Sequence, residues 1–217
     1  MKFAVIIPDR NDRPKFLKNL RRMIAAQTLQ PDEVLVIDFP ATDGKKDITK
    51  RYKEGYNKLR NKGLHAIFLM ENDDWYCTTY FEQMMAAWKL SDCPDIFGTS
   101  NTIYYHIEIN AWFTFYHSTR SMAMSTLIRP DLNIEWPVDE DPYTDISLWS
   151  QLQSKVVYIF PELICLGIKH GTGLCGGENH STAMERFIHD DSNFMLLKNH
   201  MDEDSLSFYK YQWNADV

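Results

Sequence analysis

The chain has 217 residues, 44% of them hydrophobic, and a net charge of −7 from 23 basic and 30 acidic side chains. That length suits a single domain with a sizeable core, and the acidic balance argues against non-specific nucleic-acid binding, which depends on neutralising phosphates. No segment reaches the roughly 18 apolar residues needed to span a bilayer. Cys77, Cys93, Cys165 and Cys175 form no CxxC pair, and reduced thiols in a cytoplasmic protein are expected of them.

Phe3–Ile7 is an unbroken apolar run of strand length, ended by Pro8 and Asp9, and reads as a buried first strand rather than a signal peptide. A polar loop follows, with Pro14 at a helix start, and Phe16, Leu17, Leu20, Met23 and Ile24 recur at helical spacing. Val34–Ile37 predicts a second buried strand, Lys45–Asn61 a polar helix closed by Lys62-Gly63, and Ala66–Met70 a third strand running into Glu71-Asn72-Asp73-Asp74. Phe81, Met84, Met85 and Trp88 mark another amphipathic helix. This alternation predicts a mainly parallel, doubly wound α/β sheet, in which ligands bind beyond the carboxyl ends of the strands.

The second half reads differently. Thr99–Ile109 and Trp112–Ser118 are aromatic and β-rich, as in antiparallel strands. Thr144 to Gln153 predicts a helix with Thr144 as N-cap, and Val156–Phe160 a short strand. From Gly167 onward the chain is rich in Gly, His and acidic residues and carries little regular signal.

The strongest chemical constellation is Glu71-Asn72-Asp73-Asp74, three acids and an amide delivered by an apolar strand to the ligand-binding edge. Hard oxygen donors in this arrangement suit Mg2+ or Mn2+, which neutralise a diphosphate. The bland alternative is an acidic turn leading into the helix at Tyr80.

Five segments in order resemble family-2-like glycosyltransferases of GT-A fold. Ala4 to Asn11 is similar to their opening strand, Val36-Ile37-Asp38 with Thr42-Asp43-Gly44 to their VDDGSxDG segment, and Asn57 to Gly63 to the helix ending in ArN-x-G. Glu71 to Asp74 resembles their DxDD segment and Thr144 to Trp149 their ED-x-x-LW helix start, so the likeness covers roughly residues 3–153. It implies one GT-A-like domain over 1–217, with a nucleotide-sugar-binding half at 1–98 and a smaller antiparallel acceptor-side half at 99–217 that includes a C-terminal Gly/His loop.

The resemblance implies Pro8, Arg10, Asp38, Asn57, Arg60, Glu71, Asn72, Asp74 and Lys169 at the nucleotide-sugar, and Asp73 with His170 at the metal, Mn2+ or Mg2+. His180 is a second candidate ligand. Glu71 stands where the family has Asp, and Phe39-Pro40 replace the usual glycine after Asp38. Asp145 matches the catalytic base; in the first turn of a helix it sits at the positive end of the macrodipole, which favours the ionised carboxylate that a base needs. A dipole-stabilising acid is the plain alternative, and Asp139, Glu140 and Asp141 are rivals for the role.

The implied activity is an inverting, metal-dependent hexosyl- or pentosyl-transferase using a nucleotide-sugar, a UDP-sugar by resemblance, in the cytoplasm of a bacterium or a virus-infected host cell. The acceptor is either a glycan intermediate or a hydroxymethylated base in viral DNA. A basic cluster, Arg51, Lys53, Lys58, Arg60 and Lys62, keeps the DNA reading open. Tyr104, Tyr105, Trp112, Phe115, Tyr116 and Trp136 lie on the implied acceptor side, with a packed β core as the alternative. The competing functions are a nucleotidyltransferase, against which the glycine-free loop after the first strand counts, and a non-catalytic nucleotide-sugar or glycan binder.

Overall fold

The computed structural model describes residues 1–41, 44–171 and 184–213. Thr42-Asp43 and the glycine-rich stretch from Thr172 to His180, including Cys175, lie outside the described residues. The strands are β1 (Phe3–Pro8), β2 (Glu33–Ile37), β3 (Ala66–Leu69), β4 (Trp75–Tyr76), β5 (Ile96–Thr99), β6 (Asn101–His106), β7 (Ala111–Tyr116), β8 (Thr126–Ile128), β9 (Lys155–Tyr158), β10 (Cys165–Lys169) and β11 (His189–Asp190). The helices are α1 (Pro14–Ala25), α2 (Ile48–Leu59), α3 (Tyr80–Leu90), α4 (Thr144–Gln151), α5 (Met195–His200) and α6 (Glu203–Ser207).

The larger sheet has six strands in the order β2-β1-β3-β8-β5-β9. β2, β1 and β3 run parallel, as does the β5–β9 pair, while β8 lies antiparallel between β3 and β5. The fold is therefore α/β with mixed sheets, mainly parallel. Strands from both stretches, 1–98 and 99–217, share this sheet.

The apolar run of β1 is explained by burial on both faces. Phe3, Val5 and Ile7 pack with Phe16, Leu20, Met23 and Ile24 of α1 and with Phe81, Met84 and Trp88 of α3. Ala4 and Ile6 point the other way, onto Tyr52, Tyr56 and Leu59 of α2 and Leu148 and Trp149 of α4. Gly55 lets α2 lie tightly on the sheet: a Cβ there would stand 2.6 Å from Cγ2 of Ile6.

The second sheet, β11-β7-β6-β10-β4, corrects the sequence reading. β6 and β7 form the expected antiparallel pair, but β6 pairs parallel with β10. β10 falls partly in the stretch from Gly167 that shows no regular pattern in sequence, yet all five of its residues are buried. Periodicity is silent where both faces are covered and the run is only five residues long. Thr144 is likewise not the N-cap of α4. Tyr143 holds that position without a side-chain cap, and the Thr144 hydroxyl bonds instead to the Thr49 hydroxyl. Among the described residues, no helix is long and apolar enough to cross a membrane, and Cys77, Cys93 and Cys165 are free thiols.

Candidate active site

The carboxyl ends of β1 and β3 meet at the acidic loop. β3 ends at Leu69, and the next residues carry Glu71, Asn72, Asp73 and Asp74 over the edge of the sheet. Carboxylate oxygens of Glu71, Asp73 and Asp74 lie within 4.8 Å of one another. Asn72 is tied back to β1, its Nδ2 donating to Asp9 Oδ1 at 2.6 Å. The loop is held from the C-terminal side as well, because the Tyr209 hydroxyl donates to the carbonyls of Asp73 (3.2 Å) and Asp74 (3.0 Å).

Asp73 has two further partners. Nη1 of Arg13 lies 2.5 Å from its Oδ2, and Nε2 of His170 lies 3.0 Å from the same oxygen. Arg13 Nη1 is also 2.8 Å from His170 Nε2, and its Nη2 donates to Asn72 at 3.3 Å. Arg13 Nη1, Asp73 Oδ2 and His170 Nε2 thus converge on one point. A divalent ion with ligands at about 2.1 Å holds neighbouring donors at right angles about 3.0 Å apart, so the Asp73–His170 pair has the spacing of two such ligands. The donor chemistry fits a hard or borderline cation: carboxylate oxygens plus one imidazole, with no thiolate.

The electrostatics agree with a site built for positive charge. Burial pushes the Glu71 carboxyl up to about 7, and the neighbouring Asp73 adds to this. Burial, then Glu71 and Asp73, raise Asp74 well above the usual range. Burial would also raise Asp73, but the Arg13 guanidinium and the His170 hydrogen bond outweigh it and hold this carboxyl well below its ordinary value. Three carboxylates this close do not all ionise without added counter-charge.

Beside the cluster opens a cavity of about 240 Å³, lined by Glu71, Tyr104, Phe115, Arg120, Asp145 and Lys169 among others. Lys169, at the end of β10, is buried with its Nζ 4.8 Å from the Tyr104 ring centroid. Asp145 comes from the first turn of α4 and is 8% exposed. Its Oδ2 is paired with Nη1 of Arg120. Burial raises the Asp145 carboxyl above its ordinary value, and Arg120 opposes that rise.

Of the residues singled out in the sequence, Glu71, Asn72, Asp73, Asp74, Lys169 and His170 are brought together and Asp145 faces Glu71 and Lys169 across the cavity. Pro8 closes β1 at the same edge, paired with Ile37. Arg10 is turned to Asp47 at 3.0 Å and to the Lys45 carbonyl at 2.9 Å, and Asp38 is an exposed residue at the end of β2 whose carbonyl accepts from Asn11. Asn57 and Arg60 are not brought to the site. They end α2 at the opposite edge of the sheet, where Arg60 lines a cavity with Met1 and His65, near the starts of β1 and β3. The helix's other end faces the site, and there Arg51, 1% exposed, bonds to the carbonyls of Asp9, Ile37 and Phe39 and to Asp47.

Among the rival acids, Asp139 pairs with Lys53 (3.2 Å), Glu140 with Lys45 (3.4 Å), and Asp141 accepts from the Tyr143 N–H (2.8 Å). The basic cluster is also occupied. Lys58 pairs with Glu54, Lys62 with Glu33, and Arg60 stacks over Tyr56. Of the aromatics, Tyr104 and Phe115 line the cavity, Tyr105 is core, Trp112 stacks on His189, Trp136 packs on Tyr56, and Tyr116 is exposed. Arg13, Arg120 and Tyr209 went unnoticed in the sequence. Arg13 had a signal, its place in the loop after β1; the other two had none.

No protein-family model matches the sequence, and no curated protein matches it. The fold is GT-A-like. The likeness is to S. aureus TarS. One TarS crystal structure matches with a TM-score of 0.52 at 14% identity, over 77% of this chain and 37% of that one. A second, TarS 1-349 in complex with UDP, matches with a TM-score of 0.51 at 13% identity, over 98% of this chain and 70% of that one. The chain thus spans only 37% of the longer TarS chain. At such identities the likeness is one of fold.

Proposed function

We propose that this chain is a metal-dependent, inverting glycosyltransferase that moves a sugar from a nucleotide-sugar, a UDP-sugar, to a hydroxyl acceptor. The observation that carries the reading is one cavity lined both by Glu71, a member of the acidic Glu71-Asp73-Asp74 cluster, and by Asp145, a carboxylate partly counter-charged by Arg120. The UDP complex of TarS, a protein of the same fold type, supports a uridine nucleotide as donor.

In this reading Asp73 and His170 hold Mn2+ or Mg2+, with Glu71 or Asp74 completing the set. When bound, the ion supplies Lewis-acid neutralisation of the donor diphosphate. Lys169 adds positive charge on the same side, where the leaving diphosphate gathers negative charge. Asn72, locked to Asp9, fixes the loop. Asp145 accepts the proton of the acceptor hydroxyl as that oxygen bonds to the anomeric carbon. The bond from that carbon to the diphosphate oxygen breaks, and its electron pair leaves with the nucleoside diphosphate. Attack opposite the leaving group inverts the anomeric centre in one step.

A glycan acceptor is favoured over a base in DNA. Of the basic cluster read in the sequence, Arg51, Lys53, Lys58 and Lys62 are each engaged by an acid or carbonyl of the chain itself, which weakens the case for a phosphate-binding surface there. The test is a thermal-shift screen of nucleotides and nucleotide-sugars with and without Mn2+. A ligand that binds only the folded protein raises its melting temperature. Stabilisation by UDP or a UDP-sugar that depends on the metal is expected; no shift with any nucleotide would reject the reading.

A further inference from the structure

Three cationic side chains line the cavity, Arg120, Lys169 and Arg186. Arg120 projects from the loop after β7, and among the described residues its ion pair is with Asp145 alone. The contact is made by Nη1 to Oδ2, and the same nitrogen lies 3.4 Å from Sδ of Met122. Both partners are largely buried, with 21% and 11% of their side chains exposed.

The loop that carries Arg120 is pinned. Ser121 Oγ lies 2.9 Å from Ser125 Oγ and 3.2 Å from the Ser125 carbonyl, and Thr126 Oγ1 donates to the Met122 carbonyl at 2.7 Å. β5 lies against it with no side chain between: a Cβ on Gly98 would stand 2.4 Å from Ser121 Cβ and 2.6 Å from the Ser125 carbonyl oxygen. The guanidinium is therefore delivered from a rigid turn rather than a mobile surface.

A buried carboxylate with no counter-charge takes up a proton, and a protonated carboxyl cannot accept another. Asp145 is faced by Glu71 from the β3 loop, Tyr104 from β6, Lys169 from β10, Asp141 and Tyr143 from the segment before α4, Arg186 from the segment before β11, and Arg120. Glu71 and Asp141 oppose its ionisation, and Lys169 already stands over Tyr104 near the acidic cluster. Among the described residues Arg120 is the side chain ion-paired with Asp145, and it favours the charged form, with the backbone N–H groups of Ile146 and Asp145 acting in the same direction.

We infer that Arg120 is the positioning residue of the base, holding the Asp145 carboxylate ionised and fixed on the cavity wall; this rests on the glycosyltransferase reading. Burial keeps Asp145 basic enough to take the acceptor proton, and Arg120 keeps it free to do so at the start of each cycle. Once Asp145 is neutral the attraction to Arg120 is lost, which drives the proton out to solvent and restores the base.

The test compares Arg120→Gln, Arg120→Met (which keeps the aliphatic stem against Met122) and Arg120→Lys. Two readouts are taken: the pH profile of kcat for transfer from a UDP-sugar, and a carbon-13 NMR titration of the Asp145 carboxyl, assigned with Asp145→Asn. In the neutral variants both midpoints should move up by about one pH unit, the lower end of the effect of an adjacent opposite charge, so that about tenfold less base is ionised below the midpoint. KM for the donor should stay unchanged, and Arg120→Lys should recover most of the shift. Neutral variants with unmoved midpoints, or a lysine variant as shifted as they are, would overturn the inference. If the native chain transfers sugar to no hydroxyl, water included, the glycosyltransferase reading fails; the carboxyl titration still decides whether Arg120 governs Asp145.

Discussion

Oδ2 of Asp73 and Nε2 of His170 lie 3.0 Å apart, brought together from positions 97 residues apart in the chain. Arg13 Nη1 stands 2.5 Å from the first and 2.8 Å from the second. A single ring nitrogen cannot accept from Arg13 and donate to Asp73 at once, so the His170 tautomer decides which of the two contacts is a hydrogen bond; both atoms are of the donor types that the proposed metal reading requires.

Asp73→Ala should therefore abolish Mn2+ binding measured by calorimetry. His170→Ala should weaken it by at least about tenfold, the loss seen when even indirect partners of a metal ligand are removed. An unaltered titration in either variant would take that residue out of the metal shell.

Asp145→Asn should keep UDP and Mn2+ binding while lowering transfer by about 10²–10⁴-fold, the usual worth of a positioned general base. In the native chain, activity should rise with pH through the Asp145 midpoint, because only the ionised form accepts a proton. Burial raises that midpoint, so the rising limb should sit above the ordinary aspartate value of about 3.9. Near-native turnover in the asparagine variant would move the base elsewhere, first to Asp141.

Tyr209 secures the acidic loop by donating to two buried carbonyls. Tyr209→Phe removes the donor and leaves both acceptors without it, a cost of about 1–3 kcal/mol. Urea denaturation should show this as a lower midpoint with an unchanged slope, accompanied by weaker Mn2+ binding. Unchanged stability would mean the loop is held by Asn72 and Arg13 alone.

Asp47 links Arg10 and Arg51, at 3.0 and 2.8 Å, just before α2. Burial opposes its ionisation, but the Arg51 hydrogen bond and charge, with Arg10, hold its carboxyl below the ordinary value. A carboxyl depressed in the folded state contributes stability above its unfolded value of about 3.9 and loses it as pH falls through the folded value. Asp47→Asn should thus be destabilised at pH 7, by about 1.5–3 kcal/mol for a hydrogen bond to a charged group. The gap to the native chain should close below about pH 4. A gap that persists to pH 2 would show that the ion pair is not its source.

What the sequence determined by itself is local and one-dimensional. The apolar runs of β1 and β3, Pro14 at the start of α1 and the acid-rich turn after β3 were legible, because burial on both faces of a parallel sheet leaves a continuous hydrophobic run and the ligand edge follows it directly; β2 was legible as a strand but is not the buried one its apolar run predicts, because it lies at the edge of the sheet with Val34 exposed. Asp73 and Asp145 could be picked out for the same reason, as each sits at an element end with a recognisable pattern. Tertiary structure decided the rest. The antiparallel β8, the buried β10 that presents Lys169 and His170, and the placing of Asn57 and Arg60 at the far edge depend on strand order and helix direction, which no local pattern encodes. The partners that give the site its charge balance are also non-local: Arg13 reaches Asp73 across 60 residues and Tyr209 reaches the Asp73 carbonyl across 136. Arg120 meets Asp145 through a turn held against Gly98. Electrostatic coupling falls off within a few ångströms of space whatever the distance along the chain, so the groups that tune this site could be known only once the chain had folded.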